Sequence, residues 1–169
     1  KFPYIVCSRS NSELMDNLLK DDYPILLEGI HCTYLTNCEK FQHRNIFIRL
    51  HNIEYAYYYQ LYRHSKSLFK SAYYFNESRL LKKYEKRLAR RFPIIAVSPK
   101  DARIYQQKFH ANTISPLPVF VPWNEVKCLE VMGTYCVYHA NLAVEENEEA
   151  AVWLIEKVFN DLKTPFVMA

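Results

Sequence analysis

Glycine is scarce in this sequence: Gly29 and Gly133 are the only two among its 169 residues. A P-loop and a Gly-x-Gly-x-x-Gly turn each need several glycines within a few positions, because the backbone must approach a phosphate closely there. Two isolated glycines cannot build either motif. The sequence therefore excludes the phosphate-binding sites that depend on glycine-rich turns.

Long apolar runs are also missing, and cysteine is used sparingly. No stretch approaches the roughly 20 consecutive apolar residues that a membrane-spanning helix needs. The cysteine count is odd, and no two cysteines form a Cys-x-x-Cys pair. This usage predicts reduced thiols in a cytoplasmic protein, rather than a disulfide framework or a zinc site. The five cysteines are Cys7, Cys32, Cys38, Cys128 and Cys136.

Metal and nucleic-acid signals are weak. The net charge of +4 is too small by itself to indicate a nucleic-acid partner. His43, His64 and His110 have no spacing typical of metal ligands. The glutamates within residues 145–149 suit the first turn of a helix better than a calcium loop. We therefore expect no metal, no cofactor and no nucleic acid.

What the chain does contain is an alternation of strand-like and helix-like segments, which predicts an α/β fold. Short apolar runs predict the strands, and capping signals predict two of the helices: a capping box at Ser10 to Glu13, and Ser98 followed by Pro99. The predicted strands are residues 3–7, 24–28, 45–50, 94–97, 135–139 and 165–169. The predicted helices are residues 10–20, 54–91 (two helices or one bent helix), 98–109 and 148–162.

A change of character near residue 115 predicts the domain organisation. Residues 115–123 carry three prolines and suit neither a helix nor a central strand. We therefore predict a first domain at residues 1–115, a proline-rich linker at 116–132 and the start of a second domain at 133–169. The last region reads as strand, helix, strand, so the fold is expected to continue beyond it.

Polar residues follow two of the predicted strands. His51 and Asn52 come directly after residues 45–50, and His31 follows residues 24–28. Open α/β sheets place their ligands at the carboxyl ends of parallel strands, where an imidazole can bind a hydroxyl or phosphate or act as acid or base. The alternative is that each histidine only bonds backbone at a strand end.

Two glutamates flank these histidines. Glu28 precedes His31, and Glu54 follows His51 at the predicted start of a helix. Either carboxylate could orient an imidazole. The structural alternative, which the sequence favours, is that each is a helix-dipole partner or strand-end residue.

Aromatic and basic residues mark the long helical region. Tyrosines at 55, 58, 59 and 62 follow helical spacing, which predicts a core stripe, with a groove for a sugar or lipid as the alternative. Residues 79–91 carry a basic face opposite leucines, which is typical of a solvated face and also of a surface resting on anionic lipid. The candidate membrane-facing residues are Lys82, Lys83, Lys86, Arg87 and Arg90.

Four segments together resemble one enzyme family. They are RLHNIEYAYY at 49–58, YYFNESRLLKKYEKRLAR at 73–90, IIAVSPKDARIY at 94–105 and CVYHANLAVEENEEAAVWLI at 136–155. In this order they are similar to retaining GT-B glycosyltransferases of family 4, of the kind found in bacterial surface-polysaccharide gene clusters. The resemblance implies Rossmann-like three-layer αβα domains: most of the acceptor domain, then the first βαβ unit of the donor domain.

The resemblance also implies an activity and a set of site residues. The whole protein would move a sugar from a nucleotide-sugar donor to a glycan or lipid-linked acceptor hydroxyl, with retention and without a cofactor. His51 would lie near the transferred sugar, His31, Asn52 and Glu54 would line the acceptor side, and Asn141 would lie in the donor-side loop. The location implied is the cytoplasm, with possible peripheral contact on the inner face of the membrane.

The sequence departs from the family pattern in ways that affect this expectation. Ala140 stands where the family usually has glycine, and neither a glycine-rich first loop nor a Glu-x7-Glu region is found. We therefore expect this chain to be a fragment that is inactive alone. The competing hypothesis is a non-catalytic α/β module that docks on a partner or a membrane through its basic helix.

Overall fold

The computed structural model describes residues 1–125 and 133–169. The chain divides into two compact units, Lys1–Val121 and Pro122–Ala169. The predicted linker at 116–132 lies partly outside the described residues, and the predicted boundaries stay a prediction.

A four-stranded parallel sheet forms the centre of the first unit. Its strands run side by side in chain order, with Ile25 beside Ile46 and Ile48 beside Ile94. A mixed α/β fold with a parallel sheet, as the sequence predicts, is confirmed. The strands are β1 (Ile25–Glu28), β2 (Ile46–Leu50), β3 (Ile94–Ala96) and β4 (Ile114–Pro116).

β4 departs from the sequence interpretation, because it includes the start of the predicted proline-rich linker. Pro116 pairs with Ala96 at the edge of the sheet. Proline has no backbone N–H to donate to a neighbouring strand. It is tolerated at the edge of a sheet because an edge strand pairs with a neighbour on one side only. The prediction that this segment is not a central strand therefore agrees with its edge position.

Only one face of this sheet is well covered by the described residues. Ile46, Ile48 and Leu50 alternate inward and are buried in the core. On the opposite face, Leu26 is 53% exposed and Phe47 is 40% exposed. The third layer of the predicted αβα arrangement is therefore incomplete in the part of the chain that the structure describes.

The helices of the first unit are α1 (Tyr4–Cys7), α2 (Ser12–Leu18), α3 (Glu54–His64), α4 (Leu68–Arg91) and α5 (Pro99–Ile104). A π-helical turn, Tyr105–Phe109, continues α5, and two 3₁₀ segments, Ile30–Asn37 and Glu39–Phe41, connect β1 to β2. The region 54–91 is two helices, which the sequence left open. Ser98 does cap α5, accepting hydrogen bonds from the backbone of Lys100 and Asp101, with Pro99 in the first helical turn.

Two predictions at the amino end were wrong. Residues 3–7 are a helical turn rather than a strand, and the backbone N–H of Tyr4 donates to Glu77 of α4 at 2.7 Å. The first N–H groups of a helix have no acceptor within the helix, and the Glu77 carboxylate supplies one here. This contact stabilises a helical turn at residues 4–7. The cap of α2 is Asn11, whose side chain accepts from Leu14 N–H, rather than Ser10.

The predicted tyrosine stripe joins the core only in part, because α3 has no fully buried residue. Tyr55 and Tyr58 pack against the edge of the core, whereas Tyr59 is exposed. Helical spacing identified the face correctly, but α3 packs mainly on α4 rather than in the centre of the unit. The core itself forms where α4 and the π-helical turn after α5 meet the sheet: Leu81, Leu88, Ile94, Tyr105 and Phe109 are all buried there.

The second unit contains a parallel strand pair with a helix between the strands, as the sequence predicts. β5 (Cys136–Tyr138) pairs with β6 (Phe166–Met168), and α6 (Glu145–Trp153) continues into a π-helical turn, Leu154–Phe159. The helix begins three residues before its predicted start at residue 148. Its first turn holds Glu145, Glu146 and Glu148, which confirms that the acidic cluster is a helix start.

Across residues 1–125 and 133–169, no helix is long and apolar enough to cross a membrane.

Candidate functional site

A polar cluster lies at the carboxyl ends of β1 and β2. The imidazole Nε2 of His51 is 2.9 Å from the Oε2 atom of Glu28. The guanidinium of Arg49 lies 3.3 Å from the same carboxylate. An imidazole, a carboxylate and a guanidinium therefore meet at one edge of the parallel sheet, where ligands of open α/β folds bind.

Strand register explains why these three side chains converge. Glu28 and Arg49 are direct neighbours across the β1–β2 pair, and both alternate onto the less covered face of the sheet. The backbone N–H of Gly29 donates to the carbonyl of Arg49 at 2.7 Å, which holds the strand ends together. The sequence favoured a structural role for Glu28, with orientation of an imidazole as the alternative, and the structure places this carboxylate against His51.

His31 reaches the same edge through the turn at Gly29. This glycine has φ +91° and ψ 156°, a backbone conformation that other residues rarely adopt. A Cβ added there would lie 2.6 Å from Cε1 of His31, so the imidazole folds back over the glycine. The turn therefore places His31 on the His51 side of the sheet.

The pKa of His31 is lowered, and the causes identify its surroundings. Burial is the largest cause, followed by the positive charge of Arg9 and then that of His51. Burial also raises the pKa of the neighbouring Cys32 thiol. His31 is therefore held toward its neutral form near neutral pH, in which one ring nitrogen accepts a hydrogen bond and the other donates.

Replacing Arg9 with glutamine is expected to raise the pKa of His31 part of the way to its ordinary value, because the second cause is removed and burial remains. The ring signals of His31, followed by NMR through a pH titration, measure this change. Lys20→Gln is the control, since Lys20 bonds Asn17 at the end of α2 and precedes the amino end of β1, whereas the cluster lies at the carboxyl end of that strand. Equal titration of His31 in the Arg9 variant and the wild type would contradict the placement of Arg9.

The remaining two predicted acceptor-side residues lie at the joint between β2 and α3. Asn52 is exposed in the loop, and Glu54 is the first residue of α3. Burial raises the pKa of the Glu54 carboxyl, and the neighbouring charge of His51 partly opposes this shift. The structure therefore brings Glu54 near His51, but the carboxylate in contact with the imidazole is that of Glu28.

Sequence reasoning missed a buried carboxylate behind this joint. Glu85 of α4 is fully buried, and its Oε1 atom accepts from the backbone N–H of Glu54 at 2.8 Å and from the hydroxyl of Tyr105 at 2.9 Å. Its Oε2 atom lies 3.4 Å from the N–H of Tyr55. Glu85 therefore caps α3, whose own N-cap residue, Ile53, has no side chain that can do so.

A sequence signal for Glu85 did exist. Leu81, Tyr84, Glu85 and Leu88 share one face of α4 with the spacing of a core stripe, so an acidic residue stands among apolar ones. A carboxylate at such a position needs donors inside the protein. The interpretation of residues 79–91 as a basic face opposite leucines did not account for this acidic residue.

Comparison with known proteins gives one distant relative. An uncharacterized 44.6 kDa protein in the cps region of Klebsiella pneumoniae is 27% identical over 156 residues, which are 92% of this chain. The chain spans 39% of the length of that protein. No family model matches the chain. No solved structure matches it significantly.

Asn141, the predicted donor-side residue, lies in the second unit. Its side chain accepts from the N–H of Ala143 at 3.0 Å, and its carbonyl accepts from the side chain of Asn147. These contacts shape the turn that leads into α6. A role for Asn141 toward a donor stays a prediction.

The basic face of α4 is exposed, but much of it is engaged within the protein. Arg87 donates to Asn37 at 2.8 Å and lies over the ring of Tyr84. Arg90 donates to the carbonyl of Phe109, and Lys82 lies over the ring of Tyr55. Three of the five residues predicted to face a membrane therefore contact other side chains or carbonyls of the protein. The other two, Lys83 and Lys86, are exposed.

Among the residues that the structure describes, no three or more histidine, cysteine, aspartate or glutamate side chains are arranged to hold a metal ion.

Proposed function

We propose that this chain is part of a glycosyltransferase that moves a sugar from a nucleotide-sugar donor to a hydroxyl of a glycan or lipid-linked acceptor. The observation that carries the proposal is the contact between His51 and Glu28 at the carboxyl edge of the parallel sheet. The distant relative supports it, because that protein is encoded in a cps (capsule polysaccharide) region. The GT-B arrangement and retention of configuration belong to the same proposal.

His51 would position the sugar rather than attack it. In the neutral tautomer that carries its proton on Nε2, His51 donates to the Glu28 carboxylate, and this contact fixes the ring and leaves Nδ1 able to accept a hydrogen bond from a sugar hydroxyl. The His51 side chain is about half exposed, so a ligand can reach it. Arg49, paired with the same carboxylate, limits rotation of Glu28 and so keeps the imidazole in place.

The other predicted residues have parts in the same scheme. His31 and Asn52 would bind acceptor hydroxyls beside His51, and Glu54 would add a carboxyl group near the same edge. Residues 133–169 would begin the donor side, with Asn141 in the loop near the diphosphate. No cofactor enters the reaction in this scheme, because the nucleotide sugar is itself the substrate.

Replacing His51 with alanine in the whole protein is expected to lower kcat/KM for sugar transfer by about ten-fold or more, the effect of losing one positioned hydrogen bond. Transfer of labelled sugar from nucleotide-sugar donors to lipid-linked acceptors measures it. The control is His43→Ala, because His43 is an exposed histidine that precedes β2, at the opposite end of that strand from His51.

Unchanged kcat/KM in the His51 variant would remove His51 from the site. The absence of sugar transfer by the whole wild-type protein with every donor class tested would count against the proposed function itself. The 169-residue chain alone is expected to show no transfer.

A further inference from the structure

The hairpin formed by α3 and α4 ends in two strongly exposed apolar side chains. Leu68 is 87% exposed and Phe69 is 91% exposed, more than any other large apolar side chain in the described ranges. They occupy the first two positions of α4, directly after the connecting residues 65–67. We call residues 63–70 the hairpin tip.

The charges around the tip have one sign. Residues 55–76 contain no aspartate or glutamate, whereas Arg63, Lys66 and Lys70 surround the two apolar residues. The amino terminus of α4 lies here as well, and the helix dipole adds partial positive charge at this end. The tip therefore combines two exposed apolar side chains with basic residues, in a stretch of chain that contains no aspartate or glutamate.

The hairpin that carries the tip is held rigid by aromatic contacts. The rings of Tyr58 and Tyr74 lie 6.1 Å apart across the two helices, and those of Tyr62 and Phe75 lie 5.1 Å apart. The turn is closed by hydrogen bonds, including one from the N–H of Ser65 to the carbonyl of Leu61. Leu68 and Phe69 are therefore presented without any need for the segment to fold on contact.

We propose that the hairpin tip docks on an anionic lipid surface. Leu68 and Phe69 enter the boundary between headgroups and acyl chains, and Arg63, Lys66 and Lys70 lie among the phosphates. The exposed tyrosines along the hairpin, Tyr59 and Tyr73, suit the same boundary, because a phenol ring has an apolar body and a polar end.

A lipid surface suits these features better than a protein partner does. Two adjacent apolar side chains on a protruding turn are a small patch, whereas stable protein interfaces usually bury about 800 Å² on each side. A fluid lipid boundary accepts such a small wedge without a matching cavity. The proposal also moves the membrane contact away from the basic face of α4, where Arg87 and Arg90 bond within the protein.

The docked tip lies near the candidate site without being part of it. α3 has 11 residues, so its first residue, Glu54, lies roughly 15 Å from the tip along the helix axis. Docking would hold the edge of the sheet close to the headgroups. It does not depend on sugar transfer, and it stands if the proposed function fails.

Co-sedimentation with vesicles tests the proposal on the full chain. Wild-type protein is expected to bind vesicles that contain phosphatidylglycerol more tightly than pure phosphatidylcholine vesicles, with weaker binding at higher salt. The tip variant, Leu68→Ser with Phe69→Ser, is expected to lose at least about ten-fold in affinity for these vesicles. The control variant, Lys83→Ser with Lys86→Ser, removes two charges from the basic face of α4 and is expected to bind nearly as tightly as the wild type.

Four results would overturn the proposal. These are no vesicle binding by the wild type, full binding by the tip variant, a larger loss in the control variant than in the tip variant, and a change of oligomeric state in the tip variant without a loss of vesicle binding. The last result would assign the tip to a second copy of the chain. Since the substituted residues are exposed, circular dichroism is expected to show the same helix content in all three proteins.

Discussion

Replacing Glu85 with alanine is expected to lower the free energy of unfolding by about 3 kcal/mol or more. Two backbone N–H groups at the start of α3 and the hydroxyl of Tyr105 would lose their acceptor at a buried site. The truncated side chain would also leave a cavity beneath the joint between β2 and α3. Urea denaturation followed by circular dichroism measures the loss.

Glu85→Gln is the matched comparison, because glutamine has the same shape and keeps one oxygen that can accept from Glu54 and Tyr105. It is expected to lose only about 1 kcal/mol, the contribution of the weaker contact with Tyr55. If alanine and glutamine destabilised the protein equally, the capping role of the carboxyl oxygens would be wrong. Lys86→Ala, which changes the next residue on the exposed side of α4, controls for helix propensity.

The same carboxyl group is expected to make stability depend on pH. Burial raises the pKa of Glu85 from 4.5 to about 8, and hydrogen bonds from Tyr105 and the backbone partly oppose this shift. Between these two values the folded protein keeps a proton that the unfolded chain has released. The free energy of unfolding therefore falls as pH rises, by at most about 1.4 kcal/mol per pH unit.

This stabilisation is fully present below pH 4.5 and is lost as pH passes through about 8. In Glu85→Gln the contribution to the pH dependence disappears, so the two stability curves differ in slope across that window. Parallel curves for the two proteins would contradict the raised pKa of Glu85. Comparing the two proteins cancels the other carboxyl groups whose pKa is also raised, such as Glu54 and Glu77.

Replacing Gly29 with alanine is expected to lower the free energy of unfolding by about 2 kcal/mol or more. The backbone at φ +91° and ψ 156° strains any residue with a Cβ, and the new methyl group would lie 2.6 Å from the ring of His31. His31 would have to leave its position beside His51. Urea denaturation measures the stability, and the NMR signals of the two imidazoles report the displacement.

Gly133→Ala is the matched control, because a Cβ at that position would meet only a backbone oxygen of Tyr135 at 3.6 Å, an ordinary contact. It is expected to change stability by less than about 0.5 kcal/mol. Wild-type stability and unshifted imidazole signals in the Gly29 variant would show that the turn does not hold His31. If the variant were destabilised without a change in the His31 signal, the loss would come from backbone strain at residue 29 and not from displacement of His31.

Local pattern was enough to find most of the secondary structure. The isoleucine-containing apolar runs at residues 46–50 and 94–96 form strands because β-branched and aromatic side chains suit a half-buried pleated surface. Ser98 and Pro99 begin α5 because their own side chains supply the cap and the fixed φ angle. In each case the residues that form the element lie within a few positions of one another, so the sequence alone was enough to predict it.

Predictions failed where the partner of a group lies far along the chain. The helical turn Tyr4–Cys7 was predicted as a strand, because its cap is Glu77, which is 73 positions away. The tyrosines of α3 were assigned to the core, although period alone shows only that they share a face. Whether that face is buried depends on what packs on it, which here is mainly α4.

The sequence by itself determined the α/β class, the parallel sheet and the position of His31 and His51 at strand ends. Each of these follows from residue type and spacing over a short stretch of chain. Only the tertiary structure decided that Glu28 contacts His51, that Glu85 caps α3, and that Leu68 and Phe69 stand exposed at the hairpin tip. Strand register and helix packing set those contacts, and both arise from side chains distant in sequence that come together only when the chain folds.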